Sequence, residues 1–334
     1  MRFVVGVDGG GTKTAAAVVG DDLGVIGAAI AGPSNYRSVG MEAASRSIYE
    51  AVSQALLVAE APLSQVAAIC MCLSGFDTDL DLPVPQRAVT LLGFNGAAIF
   101  ENDVVGAWAG VTGGDHGVVA IAGTGATALG MNARGEFWRT DGWDYILGDE
   151  GSGYRIGLDG IHEAMKMLDG RRPPTRLLSK FASFYSVDDA LEMRRLADSG
   201  GLGKLHIADF SRHVAEAADE GDHIAQDILR RASDEIALNI EAIVSQLDMR
   251  DDTFPIGVVG SVFKSDSFVL DPLRAAIARF APHAALTAPR YPPEVGAAII
   301  AQRRLANGDL SSWTLGGGKR RIRRSFRVSQ LTIS

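Results

Sequence analysis

Cysteine is nearly missing from this chain. The 334 residues hold only Cys70 and Cys72, two apart in a run of strand length, which sets them side by side on one face rather than in a bridge and points to a reduced, cytoplasmic protein. Histidine is thin as well. His116, His162, His206, His213, His223 and His283 are scattered with no ligand spacing to the cysteines, so no transition-metal centre is expected. Long apolar runs are lacking: no window holds the roughly 18 apolar residues of a membrane span, and no basic stretch leading into an apolar one precedes the first strand. Neither a membrane partner nor export is expected. Positive charge is in deficit, with 32 Lys and Arg against 40 Asp and Glu and a net charge of −8, which speaks against nucleic acid as a partner. The exception is the end of the chain, where Lys319, Arg320, Arg321, Arg323, Arg324 and Arg327 occur with no acid, so that residues 1–315 carry 26 basic against 40 acidic residues. A glycine run followed by basic residues reads as a basic, flexible tail over 316–334.

What the chain does have is glycine, 39 of them, and length enough for two domains. The organising stretch is Val4-Val5-Gly6-Val7-Asp8-Gly9-Gly10-Gly11-Thr12-Lys13-Thr14, followed at once by the apolar Ala15 to Val19. A short β-rich run, a turn of three glycines and a second apolar run read as a β-hairpin whose tip has almost no side chains. Glycines tolerate φ > 0 and leave N–H groups uncovered, so a bulky anion can approach the backbone. Asp8 adds a carboxylate and Thr12 and Thr14 add hydroxyls, which suit hydrated Mg²⁺ and phosphate oxygens. A tight hairpin with no ligand is the competing reading. The P-loop is excluded, because Gly6 and Gly11 have its spacing but Thr12 stands where that motif needs Lys and a strand follows rather than a helix. No Gly-x-Gly-x-x-Gly fingerprint opens the chain either, which removes NAD.

Further on, a third strand is expected over Val25 to Ala31, an amphipathic helix over Met41 to Ala61, and a strand buried on both faces over Val66 to Leu73. A helix over Pro85 to Leu92, a strand over Ala97 to Phe100 and a helix through Trp108 complete an α/β pattern of about 115 residues. The pattern then restarts: Gly117 to Ala122 enters Gly123-Thr124-Gly125, and Ala126 to Met131 leaves it. This echo predicts an internal duplication with domains over 1–115 and 116–293, the second carrying a helical insertion over about 152–250, and a last helix over 294–308 returning to the first. The αβ alternation resumes at Ile256 to Val259 and Gly260-Ser261.

In this order the segments Asp8 to Thr14, Gly32-Pro33-Ser34-Asn35, Asn102-Asp103, Gly123-Thr124-Gly125, Gly142-Trp143-Asp144 through Gly148-Asp149-Glu150-Gly151-Ser152-Gly153, and Gly260-Ser261-Val262 resemble the N-acetylglucosamine kinase group of the BadF/BadG/BcrA/BcrD ATPase family, within the sugar kinase, Hsc70 and actin superfamily. The likeness runs over about residues 3–308. It implies two duplicated actin-like, ribonuclease H-like domains, each a mixed five-stranded sheet with flanking helices, with ATP in the cleft between them. It also implies an ATP-dependent transfer to an amino sugar, most simply to the 6-hydroxyl of N-acetylglucosamine or glucosamine. Gly9, Gly10, Gly11, Thr12, Lys13, Thr14, Gly123, Thr124, Gly125, Gly260 and Ser261 then face ATP, and Asp8 holds Mg²⁺ directly or through water.

Asp103 matches the family's catalytic base, although an Asp between a strand and a helix is on its own account as well read as a helix cap. Asn35, Gly142, Trp143, Asp144 and Asp149, with Asp103, match positions that hold the sugar; a core aromatic is the competing reading for Trp143. Asp144 replaces the glycine of mammalian members, which leaves the sugar open. Other readings are a kinase for a sugar acid such as 2-keto-3-deoxygluconate, an ATPase activating a radical enzyme, which needs a cysteine-ligated cluster, and a sugar-sensing repressor, which would place a DNA-binding element before the hairpin. A homodimer is the expected assembly.

Overall fold

The computed structural model describes residues 3–308, and the basic tail expected over 316–334 lies outside the described residues. Among the described residues the Cα framework divides into two compact units, one of residues 3–119, 129–139 and 287–308, the other of residues 120–128 and 140–286.

In the first unit the chain runs β1 (Phe3–Gly9), β2 (Thr14–Val19), β3 (Val25–Ala31), α1 (Tyr36–Val39), α2 (Met41–Val58), β4 (Val66–Leu73), α3 (Pro83–Leu92), β5 (Ala97–Asn102) and α4 (Asp103–Thr112). The strand order is β3-β2-β1-β4-β5. β1 to β3 pair antiparallel, whereas β4 and β5 join parallel to β1, with Asp8 opposite Ala15 on one side and Cys72 on the other. The period of two divides the sheet's faces. Val5, Val7, Ile69 and Met71 turn to one face, where they bury against Ala44, Ile48, Ala51, Val52 and Ala55 of α2, each large side chain contributing about 1.5–3 kcal/mol.

Gly6 and Asp8 share the opposite face, which the last helix, α11 (Pro293–Asn307), covers. A Cβ on Gly6 would lie 1.9 Å from the Glu294 carbonyl oxygen, so only glycine admits the helix at this distance. Cys70 and Cys72 also lie on this side as free, buried thiols with sulfurs 3.9 Å apart, the placement their spacing predicts. A buried ion pair of Arg304 on α11 with Glu101 on β5 ties the helix to the sheet's edge.

The second sheet comprises β6 (Gly117–Ala122), β7 (Ala126–Met131), β8 (Phe137–Asp141), β9 (Pro255–Val259) and β10 (Ala285–Thr287), in the order β10-β9-β6-β7-β8. Listed from β8, this is the order of the first sheet, as a duplication requires. β8 is the strand the sequence hides: Arg139, Thr140 and Asp141 break its apolar run, yet all of Phe137 to Asp141 is buried. Between β8 and β9 the second unit inserts α5 (Gly153–Leu168), α6 (Leu177–Tyr185), α7 (Ala190–Asp198), α8 (Lys204–Asp219) and α9 (His223–Gln246); α10 (Asp271–Phe280) follows β9. α5 begins five residues before its apolar periodicity shows, because Gly153 and Gly157 sit where α8 approaches closely. α10 starts three residues later than the Phe268 its sequence suggests, a π turn over Asp266–Leu270 taking the place of its first turn.

Candidate active site

The first unit gathers charge at the ends of β1, β4 and β5. Asn102 closes β5 and its Oδ1 accepts from the Val104 amide, 3.2 Å away. The cap of α4 is therefore Asn102, and Asp103 is the helix's first residue. Ser74, just past β4, hydrogen-bonds the Asp103 carboxylate, and the Asn35 Nδ2 donates to Ser74 Oγ at 3.3 Å. Behind these lies Asp77, whose Oδ1 accepts from Arg139 Nη1 at 2.7 Å and from Asn102 Nδ2 at 3.1 Å. Arg139 is buried, so its guanidinium is a strong local charge. Burial raises the Asp103 acid above the ordinary carboxylate range, while the Arg139 charge and the Ser74 hydrogen bond pull it back.

Asp8 stands on the same sheet face as Gly6 and so toward the start of α11. Burial, reinforced by the carboxylates of Asp103 and Glu294, pushes its acid up to about 7, and Lys13 alone of the named causes works against this. A carboxylate so short of counter-charge suits a divalent cation. Among the described residues no set of three or more His, Cys, Asp or Glu could hold a metal ion.

At the first hairpin's tip the Gly10 amide donates to the Lys13 carbonyl at 2.9 Å, while the Gly10 carbonyl accepts from the amides of Ser34 and Asn35. That pair of bonds brings Asn35 beside the hairpin. Contrary to expectation, Gly9, Gly10 and Gly11 use no positive φ. Gly11 instead faces open space, where an added Cβ would meet nothing within 4 Å, and Thr12 and Lys13 are exposed beside it. Thr14 differs from its neighbours: it is fully buried and its hydroxyl donates to the Gly32 carbonyl at 2.7 Å. Its role there is to hold the loop after β3 to the start of β2.

In the second unit, the turn Gly123-Thr124-Gly125 accepts the first amides of α5, from Gly153 to Gly123 O at 2.7 Å and from Tyr154 to Thr124 O at 3.3 Å. Helix amides that would otherwise lack partners thus brace the turn. Gly260 takes φ +127°, and a Cβ there would strike the Ala122 carbonyl at 2.1 Å, so β9 and Ser261 meet this turn only through glycine.

The loop after β8 is unlike the rest. Asp141, Asp144 and Asp149 all take positive φ, +57°, +68° and +63°, each at a cost of about 1 kcal/mol or more. Asp141 Oδ1 closes the loop by accepting from the amides of Gly142 and Asp149, at 2.7 and 2.8 Å, and Asp149 Oδ1 accepts from the Ala126 amide at 3.2 Å. Asp141 Oδ2 is buried with no partner. Trp143 is 51% exposed, so it is no core aromatic, and Ile146 and Leu147 stand further out. Lys204, at the start of α8, reaches in: its Nζ bonds Asp144 and lies 3.1 Å from Asp149 Oδ2 and 5.1 Å from the Tyr145 ring centre. Burial pulls the Lys204 ammonium down, but the two carboxylates outweigh it and hold it above its usual range.

Sequence reasoning missed Ser74, Asp77, Arg139, Glu294, Asp141 and Lys204. Ser74 and Asp77 follow the carboxyl end of a buried strand, the usual place for ligand-facing groups, and were open to that rule. A lone Arg inside a strand of aromatics is a signal for a buried ion pair. Lys204 has no local signal, since its partners are 60 and 55 residues away.

Residues 5–301 match the model of the BadF/BadG/BcrA/BcrD ATPase family. An N-acetylmuramic acid/N-acetylglucosamine kinase of Clostridium acetobutylicum is 31% identical over 302 residues, spanning 90% of this chain and 99% of that protein. An N-acetyl-D-glucosamine kinase of Dictyostelium discoideum is 30% identical over 311 residues, 90% and 98% of the two chains. Among solved structures, a candidate N-acetylglucosamine kinase from Chromobacterium violaceum gives a TM-score of 0.74 at 25% identity, over 90% of this chain and 99% of that one. A ROK-family glucokinase from Streptomyces griseus, solved with glucose and AMPPNP, gives 0.57 at 20% identity and 90% and 99% coverage, a likeness of fold. The resemblance drawn from the hairpins and the Gly142 to Gly153 segment, and the fold class it implies, are borne out.

Proposed function

Since the chain belongs to the BadF/BadG/BcrA/BcrD ATPase family, we propose that it is an ATP-dependent kinase for an amino sugar, acting on the 6-hydroxyl of N-acetylglucosamine or glucosamine with Asp103 as general base. The observation that carries this reading is the surroundings of Asp103: a carboxylate at a strand end, oriented by Ser74 and kept ionisable by Arg139, which Asp77 holds in turn. Such a group accepts the proton of the attacking hydroxyl as its oxygen bonds the γ-phosphorus and the bond to the β–γ bridging oxygen breaks, releasing ADP. Asn35, one hydrogen bond from Ser74, orients a sugar hydroxyl beside it. Gly10, Gly11, Thr12 and Lys13 offer amides, a hydroxyl and a cation to phosphate oxygens, and Gly123, Thr124, Gly125, Gly260 and Ser261 offer a second set. Mg²⁺, with Asp8 as its protein ligand directly or through water, supplies neutralisation of phosphate charge. Gly142, Trp143, Asp144 and Asp149 present polar groups and one aromatic face to the sugar, and a pocket of this kind rejects analogues that lack a hydroxyl.

The radical-enzyme reading loses support from the cysteines, which are fully buried, with the Cys72 thiol pushed well above its usual range by burial first and by Cys70 second. Such thiols are poor ligands. A cytoplasmic homodimer completes the proposal, tested by light scattering of the purified protein. The function itself is tested by coupled ADP release over glucosamine, N-acetylglucosamine, N-acetylmuramic acid, N-acetylmannosamine, glucose and 2-keto-3-deoxygluconate. Turnover on an amino sugar at least tenfold above glucose is expected; no sugar-dependent ADP release removes the kinase reading.

A further inference from the structure

The acid-rich loop after β8 would attract a cation, and the protein supplies its own. Asp144, Asp149 and the buried, partnerless Asp141 Oδ2 lie within nine residues, in the segment that carries the proposed sugar contacts. Into it α8 sends Lys204, whose ammonium meets a carboxylate oxygen of Asp144, a carboxylate oxygen of Asp149 and the face of Tyr145. Two carboxylates and an aromatic face form the surroundings an ammonium ligand seeks. Tyr145 is in turn backed by Tyr154, with ring centres 5.0 Å apart, so the cradle is built from the loop, α5 and α8.

We propose that Lys204 is a specificity residue: its ammonium occupies the cradle that the 2-ammonium of a free amino sugar would take, and so selects sugars whose nitrogen is acylated over glucosamine. The two sugars differ only at that nitrogen, which is cationic in glucosamine and a neutral amide in N-acetylglucosamine. Because Asp144 and Asp149 are already committed to Lys204, a second ammonium brought there gives up hydration without an uncommitted carboxylate to receive it, a penalty on the order of tenfold in affinity. A neutral amide escapes this term. Removing the Lys204 charge withdraws that ammonium from Asp144 and Asp149 and opens the cradle to the ammonium of the sugar. This rests on the amino-sugar kinase reading.

The test uses the full chain at pH 6.5, where the sugar amine is protonated, and measures kcat/KM for glucosamine and N-acetylglucosamine by ADP release in the wild type, Lys204→Met and Lys204→Arg. We expect the wild type to prefer N-acetylglucosamine. Lys204→Met should raise kcat/KM for glucosamine by about tenfold or more while N-acetylglucosamine changes by less than about threefold, and Lys204→Arg should retain the wild-type preference. A wild type that prefers glucosamine, or a Lys204→Met enzyme with no gain on glucosamine, overturns the proposal; a residue of merely structural importance lowers both sugars together. If thermal unfolding shows Lys204→Met to be misfolded, Lys204→Gln is read by the same criteria. A wild type active on neither sugar overturns the kinase reading itself, a result distinct from a failed preference.

Discussion

The surroundings of Asp103 and the loop from Asp141 to Asp149 differ in how their charges are held. Around Asp103 the residues have ordinary backbone and the partners are fixed from behind: Asn102 caps the helix and also grips Asp77, which pairs with a buried Arg139. In the loop, three aspartates sit in the left-handed region, several apolar side chains face outward, and one carboxylate oxygen is buried with no donor. The base proposed at Asp103 needs a fixed position and a tuned acidity, and partners held from behind favour both. A surface that discriminates between substrates works through strain and unmet polar groups, which a ligand can relieve.

The sharpest way to break this contrast is Asp103→Asn, which leaves the surrounding network standing. kcat should fall by about 10²–10⁴-fold with KM for the sugar changed only severalfold; near-normal turnover would remove Asp103 from the chemistry. Next in size is Arg139→Met. It takes from the half-buried Asp77 its nearest cation, while Arg37 at 3.7 Å and the Asn102 amide remain, so unfolding in urea should show a loss of about 1.5–3 kcal/mol. Because Arg139 lowers the Asp103 acid, its loss should also move the acid limb of the kcat/KM profile to higher pH, an effect that lost packing alone does not produce.

Asp8→Asn tests the charge shortage at the hairpin. The native acid lies near 7 and the unfolded one near 3.8, so between these values the folded state holds a proton that the unfolded state has released, and wild-type stability falls as pH rises through this window. Without Mg²⁺ and nucleotide, the variant's melting temperature relative to wild type should be unchanged near pH 3.5 and rise steadily to pH 7.5; a constant difference contradicts the burial of this charge. The smallest effect is expected of Asp144→Gly. It relieves a left-handed aspartate and gives up a half-exposed ion pair with Lys204, two terms of about 1 kcal/mol each and opposite sign, so Tm should move by less than about 2 °C. A large drop would mean the loop supports the fold rather than the choice of substrate.

Much of the scaffold was legible because its signals are local. The hairpin Gly6 to Val19, the run Val66 to Leu73 and the helix from Met41 show their period within a dozen residues, and the echo at Gly123-Thr124-Gly125 fixed the duplication. Local reading failed where tertiary contact outranks composition. β8 hides because Arg139 and Asp141 are polar residues buried for their partners. At Gly11 only one of the two reasons for glycine applies, the open space that leaves its backbone uncovered and not a positive φ. Thr14, two residues beyond Thr12, shares its chemistry on paper, yet β2 turns it inward. Lys204 belongs to the loop only through the fold, and no spacing in the sequence announces it.

The central claim is transfer of phosphate to a sugar rather than loss of phosphate to water, and ³¹P NMR of wild-type protein with Mg²⁺, ATP and N-acetylglucosamine separates these directly. A kinase gives one sugar 6-phosphate ester for each ADP formed and little inorganic phosphate. Equal amounts of ADP and inorganic phosphate, with no sugar ester, contradict it.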